Sequence, residues 1–229
     1  MADCDKNHRC KPNSGFWPKR VVDVGSGDEV RILEPQSIPR EPYIALSHCW
    51  GHPTDEEKEH YCTTRENRKQ RLEGFSMNDL PETFQDAIKM VRALGLRYLW
   101  IDALCIVQGD GGDWYGESAN MKNVFSSAYC TFAVDSAKGW KDGFFERESP
   151  PKYSPGFRGG ERVYLCDTEH DFEGHVINSA LNQRAWVLQE RILSPRILHF
   201  TKQHTYFACG KNVRCENFTL LERYELFPP

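Results

Sequence analysis

Residues 80–102 place the strongest constraint on the fold. In LPETFQDAIKMVRALG (80–95), Phe84, Ala87, Ile88, Val91 and Leu94 recur at helical spacing and form one apolar stripe. Pro81 sits near the first turn, where its missing N–H costs little, and Gly95 is placed to end the helix. Arg97–Asp102 (RYLWID) follows at once, an apolar run with a carboxylate at its far end. Upstream, Tyr43–Ser47 (YIALS) is another short apolar run, bounded by Pro42 and by His48-Cys49-Trp50-Gly51. Strand, helix and strand in this order, with a crossover of this length, are the grammar of a parallel sheet.

The grammar continues. Asp113 is placed to cap a helix whose buried stripe is Trp114, Met121, Val124, Phe125 and Ala128, and Tyr129–Val134 reads as the next strand. In SALNQRAWVLQERILSPR (179–196), Leu181, Ala185, Leu188 and Ile192 make one stripe; Trp186, Gln189, Glu190 and Leu193 make an adjacent one. Pro195 stops this helix, and Arg196–Phe200 and Thr205–Cys209 read as closing strands. The expected fold class is α/β, an open, mainly parallel sheet flanked by helices. Residues 1–42 form an N-terminal extension with a peripheral hairpin, Arg20–Val24 and Glu29–Leu33 about the turn Gly25–Asp28. The segment 136–178 breaks the rhythm with Gly, Pro and charge and reads as an insertion or lid with a hairpin near Arg162–Cys166. The main domain then spans 43–216, and 217–229 is a C-terminal tail.

Composition narrows the function classes. With 229 residues a single domain is the better prior. A net charge of −4 gives no broad attraction to phosphate backbones, so nucleic acid is not expected as a partner. No apolar run reaches the ~20 residues of a spanning helix, and the polar start MADCDKNHRCK is no secretory signal. No membrane association and a cytoplasmic location are expected. The cysteine count, nine, is odd and the positions are scattered without a CxxC, which disfavours a disulfide scaffold. His48, Cys49, His52, His60 and Cys62 crowd one stretch but lack a recognised zinc spacing, so no metal is expected.

Ligands in open α/β sheets bind beyond the carboxyl ends of the strands. Three predicted strands end in polar groups: Ser47-His48-Cys49-Trp50-Gly51, Asp102, and Asp135-Ser136. Asp102 is the one acid in a long apolar stretch, and unpaired burial would cost several kcal/mol. It is either a structural cap of the following loop or a carboxylate presented to a pocket. Glu190 lies four residues after Trp186, hence on the same helix face. Beside an indole in a cleft its pKa would rise, and the ring offers a stacking surface for a planar heterocycle. The competing reading is an ion pair with Arg184, Arg191 or Arg196. No GxSxG, GxGxxG or Walker lysine appears; Asp102, Asp110 and Asp113 are the acids that a metal-dependent nuclease would use.

Four phrases carry a family resemblance: YIALSHCWG (43–51), LPETFQDAIKMVRALGLRYLWIDALCIVQ (80–108), DWYGESANMKNVFSSAYCTFAV (113–134) and RAWVLQERILSPRILHF (184–200). They resemble the blocks of the fungal heterokaryon-incompatibility (HET) domain. The resemblance implies a cytosolic cell-death effector of allorecognition and innate immunity, controlled through sensor or regulatory domains or proteins. HET domains are in turn remotely similar to TIR domains. ALSHCWG resembles the first TIR strand and loop, LWIDALCI the second strand, and Trp186–Glu190 (WVLQE) the tryptophan-and-glutamate phrase of NAD-cleaving TIR enzymes. This implies a TIR/flavodoxin-like core and hydrolysis of NAD at the nicotinamide–ribose bond. Glu190 would be the catalytic acid with Asp102 in support; Ser47, His48, Trp50, Gly51, Arg184 and Trp186 would hold the nucleotide. NAD is then a substrate, no cofactor is implied, and the active form is a homo-oligomer. The alternative is a non-catalytic death-signalling module that works by self-association and partner recruitment.

Overall fold

The computed structural model describes residues 1–8, 10–13, 15–34, 40–147, 153–158, 161–166, 171–217 and 219–221. Along the chain run α1 (Ala2–Asn7), β1 (Val21–Asp23), β2 (Glu29–Leu33), β3 (Tyr43–Ser47), α2 (Asp55–Tyr61), α3 (Arg68–Glu73) and β4 (Phe75–Ser76). Then come α4 (Glu82–Ala93), β5 (Tyr98–Trp100), α5 (Asp102–Cys105), α6 (Trp114–Ser127) and β6 (Cys130–Val134). The chain continues through β7 (Tyr153–Arg158), β8 (Glu161–Cys166), α7 (Ala185–Leu193), β9 (Arg196–Phe200), β10 (Thr205–Cys209), β11 (Asn212–Cys215) and β12 (Leu220–Leu221).

Ten strands form one sheet in the order β12-β11-β10-β9-β6-β3-β5-β1-β2-β4. Its centre, β5-β3-β6-β9, is parallel, and in chain order these strands run 2-1-3-4. β3, β5 and β6 are buried along their whole length, as expected of short apolar runs covered on both faces. The crossover through α4 steps one way from β3 and the crossover through α6 steps back past it. Right-handed connections therefore set the two helices on opposite faces. Side chains agree: Tyr43 Oη donates to the Val124 carbonyl of α6 at 2.6 Å, whereas His48 packs edge-on against Phe84 of α4 at 5.1 Å. Strand alternation thus sends Tyr43, Ala45 and Ser47 toward α6, and Ile44, Leu46 and His48 toward α4.

The mainly parallel sheet is corrected to a mixed and mostly antiparallel one: three of the nine pairings are parallel. The reason lies in connector length. Residues 201–204 join β9 to β10, and Gly210-Lys211 alone joins β10 to β11; such turns permit only antiparallel neighbours, because a parallel return needs a dozen residues or more. The N-terminal hairpin forms about its predicted turn but is not peripheral. β1 pairs antiparallel with β5, and Val21, Val22 and Ile32 are fully buried. The insertion likewise begins inside the core, since Ala137, Trp140 and Phe144 are buried against β6 and α4 residues; its expected hairpin is the separate pair β7-β8. The two-stripe reading of α7 is overturned: within that helix Val187 is buried, while Leu188 and Ile192 are 62% and 48% exposed. Likewise Trp114 leaves the expected α6 stripe, at 45% exposure.

Candidate functional site

At the carboxyl ends of β3 and β5, under α6 and the start of α7, lies a cleft of about 220 Å³. Its floor is Ser47, Trp50, Trp100 and Asp102; α6 contributes Trp114 and Met121, α7 contributes Trp186 and Glu190, and Arg184 just before α7 completes the lining. The strand tips and helix therefore meet where a parallel sheet is expected to bind ligands. Four of the chain's six tryptophans line this space. Trp186 is 52% exposed and, with Trp114, forms an accessible aromatic rim.

The two carboxylates are held differently. Asp102, the first residue of the short helix α5, accepts hydrogen bonds from Trp50 Nε1 at 2.9 Å and from the adjacent Ala103 amide at 2.7 Å, and it faces the cleft. Glu190 accepts a short hydrogen bond from Ser47 Oγ, across 143 residues of chain. Loss of water around Glu190 raises its pKa from about 4.5 to about 7; the Ser47 hydroxyl opposes this, Asp102 adds to it and Arg184 opposes it. Its ion-pair reading does not hold in direct contact: Arg184 Nη1 donates instead to the His48 carbonyl at 2.5 Å, and Arg196 pairs with Asp5. That first bond ties the loop after β3 to the start of α7.

Other predicted residues lie elsewhere or act indirectly. Burial holds the His48 imidazole below its ordinary range, so the ring is neutral and packed on Phe84. Gly51 is outside the cleft lining; its φ of +73° and the Gly139 Cα, which a Cβ would meet at 3.0 Å, explain why glycine stands there. Asp135 at the tip of β6 takes Ser179 Oγ at 2.7 Å and His199 Nδ1 at 2.8 Å in a buried knot. Serine and histidine both bind the acid there rather than each other, so no nucleophile–base pair results. Asp113 is engaged by Arg20 and Lys19, outside the lining that includes Asp102. The crowd His48, Cys49, His52, His60 and Cys62 is not gathered; among the described residues one cluster has metal-ligand spacing, Cys4, His8, Cys10 and Cys209. The eight described cysteines form no disulfide, and no described helix is long and apolar enough to cross a membrane.

Sequence reasoning missed Trp100 and Met121 as cleft residues. Both sit in apolar runs that the sequence marks for burial, and only the convergence of two helices on the strand tips makes a wall of them.

The fold and site define an α/β domain with an aromatic, carboxylate-bearing cleft at the tips of its parallel strands. The model of the heterokaryon incompatibility protein (HET) family matches residues 43–190, well over half of the chain, and the chain belongs to that family. No curated protein and no solved structure matches it.

Proposed function

We propose that this HET domain is a cytoplasmic cell-death effector that hydrolyses NAD at the nicotinamide–ribose bond. The observation that carries the reading is Glu190: a half-buried carboxyl, bonded to Ser47, in a cleft walled by indoles. The 2-1-3-4 order of the parallel strands supports a TIR/flavodoxin-like core, because doubly wound sheets of this order bind nucleotides at their carboxyl ends. The cavity of about 220 Å³ is smaller than the about 300–1,000 Å³ of drug-sized pockets. It suits the reacting end of a dinucleotide, with the remainder lying across the Trp114–Trp186 rim.

Nicotinamide in NAD is a cationic leaving group and needs no proton to depart. Its bond to the ribose carbon breaks with the electron pair going to the ring nitrogen, and a water oxygen bonds to that carbon and releases a proton. Ionised Glu190 would hold ribose hydroxyls and offset the positive charge developing on the sugar. Trp50 and Trp186 would stack, Ser47 would orient Glu190, Asp102 would fix the Trp50 indole, and Arg184 would meet phosphate.

The test is nicotinamide release from NAD by the purified full chain, with Glu190→Gln expected to lower the rate by at least about 10²-fold. Release undiminished by Glu190→Gln overturns the site. No release at any protein concentration favours the second reading, a module acting by self-association and recruitment. The exposed Leu188 and Ile192, one turn apart on α7, favour that reading.

A further inference from the structure

The first ten residues carry Cys4, His8 and Cys10, and the fold lays them against Cys209, the last residue of β10. One ligand atom from each of the four lies within 4.8 Å of every other. Cys209 Sγ stands 3.4 Å from His8 Nδ1. Cys4 and Cys209 are buried, and His8 and Cys10 are half-buried. We propose that these four side chains bind a structural zinc ion as a Cys₃His site, independently of the reading of the cleft.

Three arguments converge. The first is geometric. Tetrahedral zinc with Zn–S of about 2.3 Å and Zn–N of about 2.0–2.1 Å sets its ligand atoms roughly 3.5–3.8 Å apart, so small side-chain rotations complete the shell. The second is chemical: a disulfide would use two of the three thiols and leave the third and the imidazole without a role, whereas four donors close a structural site. The third is electrostatic. Three thiolates around Zn²⁺ leave one net negative charge, and the buried guanidinium of Arg196 interacts electrostatically with Cys4. Arg196 is itself held in place by Asp5 at 2.6 Å and the Tyr129 carbonyl at 3.2 Å, which fixes its positive charge beside the cluster.

The site also answers a local need. Helix α1 has six residues and cannot hold itself in water. Zinc would clamp it to β10, beside a groove where Cys10 and Cys209 meet Leu193 and Ser194 at the end of α7. The sequence conceals the site because its fourth ligand is some two hundred residues away.

The experiment uses the full chain, expressed with zinc and freed of loose metal by gel filtration. Elemental analysis should give one zinc per chain, and exchange with Co²⁺ should produce the intense visible bands of a tetrahedral thiolate site. Cys10→Ser removes a ligand and should lower zinc affinity by more than the about 10–100-fold that loss of an outer partner costs, while His60→Ala, an exposed histidine on α2, should leave it unchanged. A chelator should lower the Tm of the unsubstituted chain. Folded protein with no zinc and no cobalt spectrum, or a peptide map joining any two of Cys4, Cys10 and Cys209 by a disulfide, overturns the proposal.

Discussion

Glu190 ties chemistry to acidity in a way that two measurements can separate. Its carboxyl ionises near 7 in the fold and near 4.5 in an ordinary setting. Between those values the native state holds the proton that the unfolded chain has lost, so the Glu190 contribution to folding stability declines as pH rises from about 4.5 to about 7, while the depressed His48 contributes in the opposite sense. The rate of NAD cleavage should move the opposite way, rising through an apparent pKa near 7 as the carboxylate forms. Denaturant unfolding of the unsubstituted chain and of Glu190→Gln at pH 5 and pH 8, set beside a pH–rate profile, checks both: the difference in stability between the two proteins should shrink from pH 5 to pH 8 by the Glu190 share, and the rate step near 7 should disappear. A rate that is flat through neutrality would rule out ionised Glu190 as the working group. At this scale the sequence was partly legible. The four-residue spacing of Trp186 and Glu190 is local and shows their shared face; the Ser47 hydroxyl that reaches Glu190 comes from a strand tip far upstream, and no spacing encodes it.

Among elements, the joint between α4 and the start of the insertion makes a sharp case. Asp86 is buried and accepts the amides of Phe144 at 2.9 Å and Phe145 at 3.3 Å, with Lys89 at 3.3 Å as a partial counter-ion. Asp86→Ala strands two amides and should destabilise the fold by about 2–3 kcal/mol, because an unmet buried donor costs about 1–3 kcal/mol. Urea unfolding measures it, and a loss below about 0.5 kcal/mol, the range of an ordinary surface change, would mean the joint does not anchor the segment. Elements defined by local pattern were readable: α4 between Pro81 and Gly95, and the apolar runs that became β3, β5 and β6. What failed was inference from hydrophobicity to burial. Leu188 and Ile192 fit a core stripe by period, yet α7 lies over the polar cleft and rests on Val187. Strand direction was also beyond periodicity, because it depends on the length of the turns between strands.

At the scale of the whole molecule, the folded unit exceeds the segment matched to the family. Residues 43–190 omit β1 and β2 on one side and β9 to β12 on the other, and they end inside α7. A chain trimmed to 43–190 would bare the edges of β5 and β6, each an unpaired row of backbone groups ready for intermolecular pairing. It should aggregate, and the 229-residue chain should unfold in a single cooperative transition, which light scattering and calorimetry can compare. A trimmed chain that stays monomeric and folded would show that the wings are dispensable.

The bond between Ser47 and Glu190 joins residues 143 positions apart, so it has a bearing on synthesis. On the ribosome, a nascent chain that has emerged only through β6 has Ser47 but not the helix that supplies the carboxylate. A product ended early by a premature stop codon in that interval is equally incomplete. If the cleft carries the proposed hydrolysis, the chain stays inert until Glu190 has been made and α7 has docked on the strand tips.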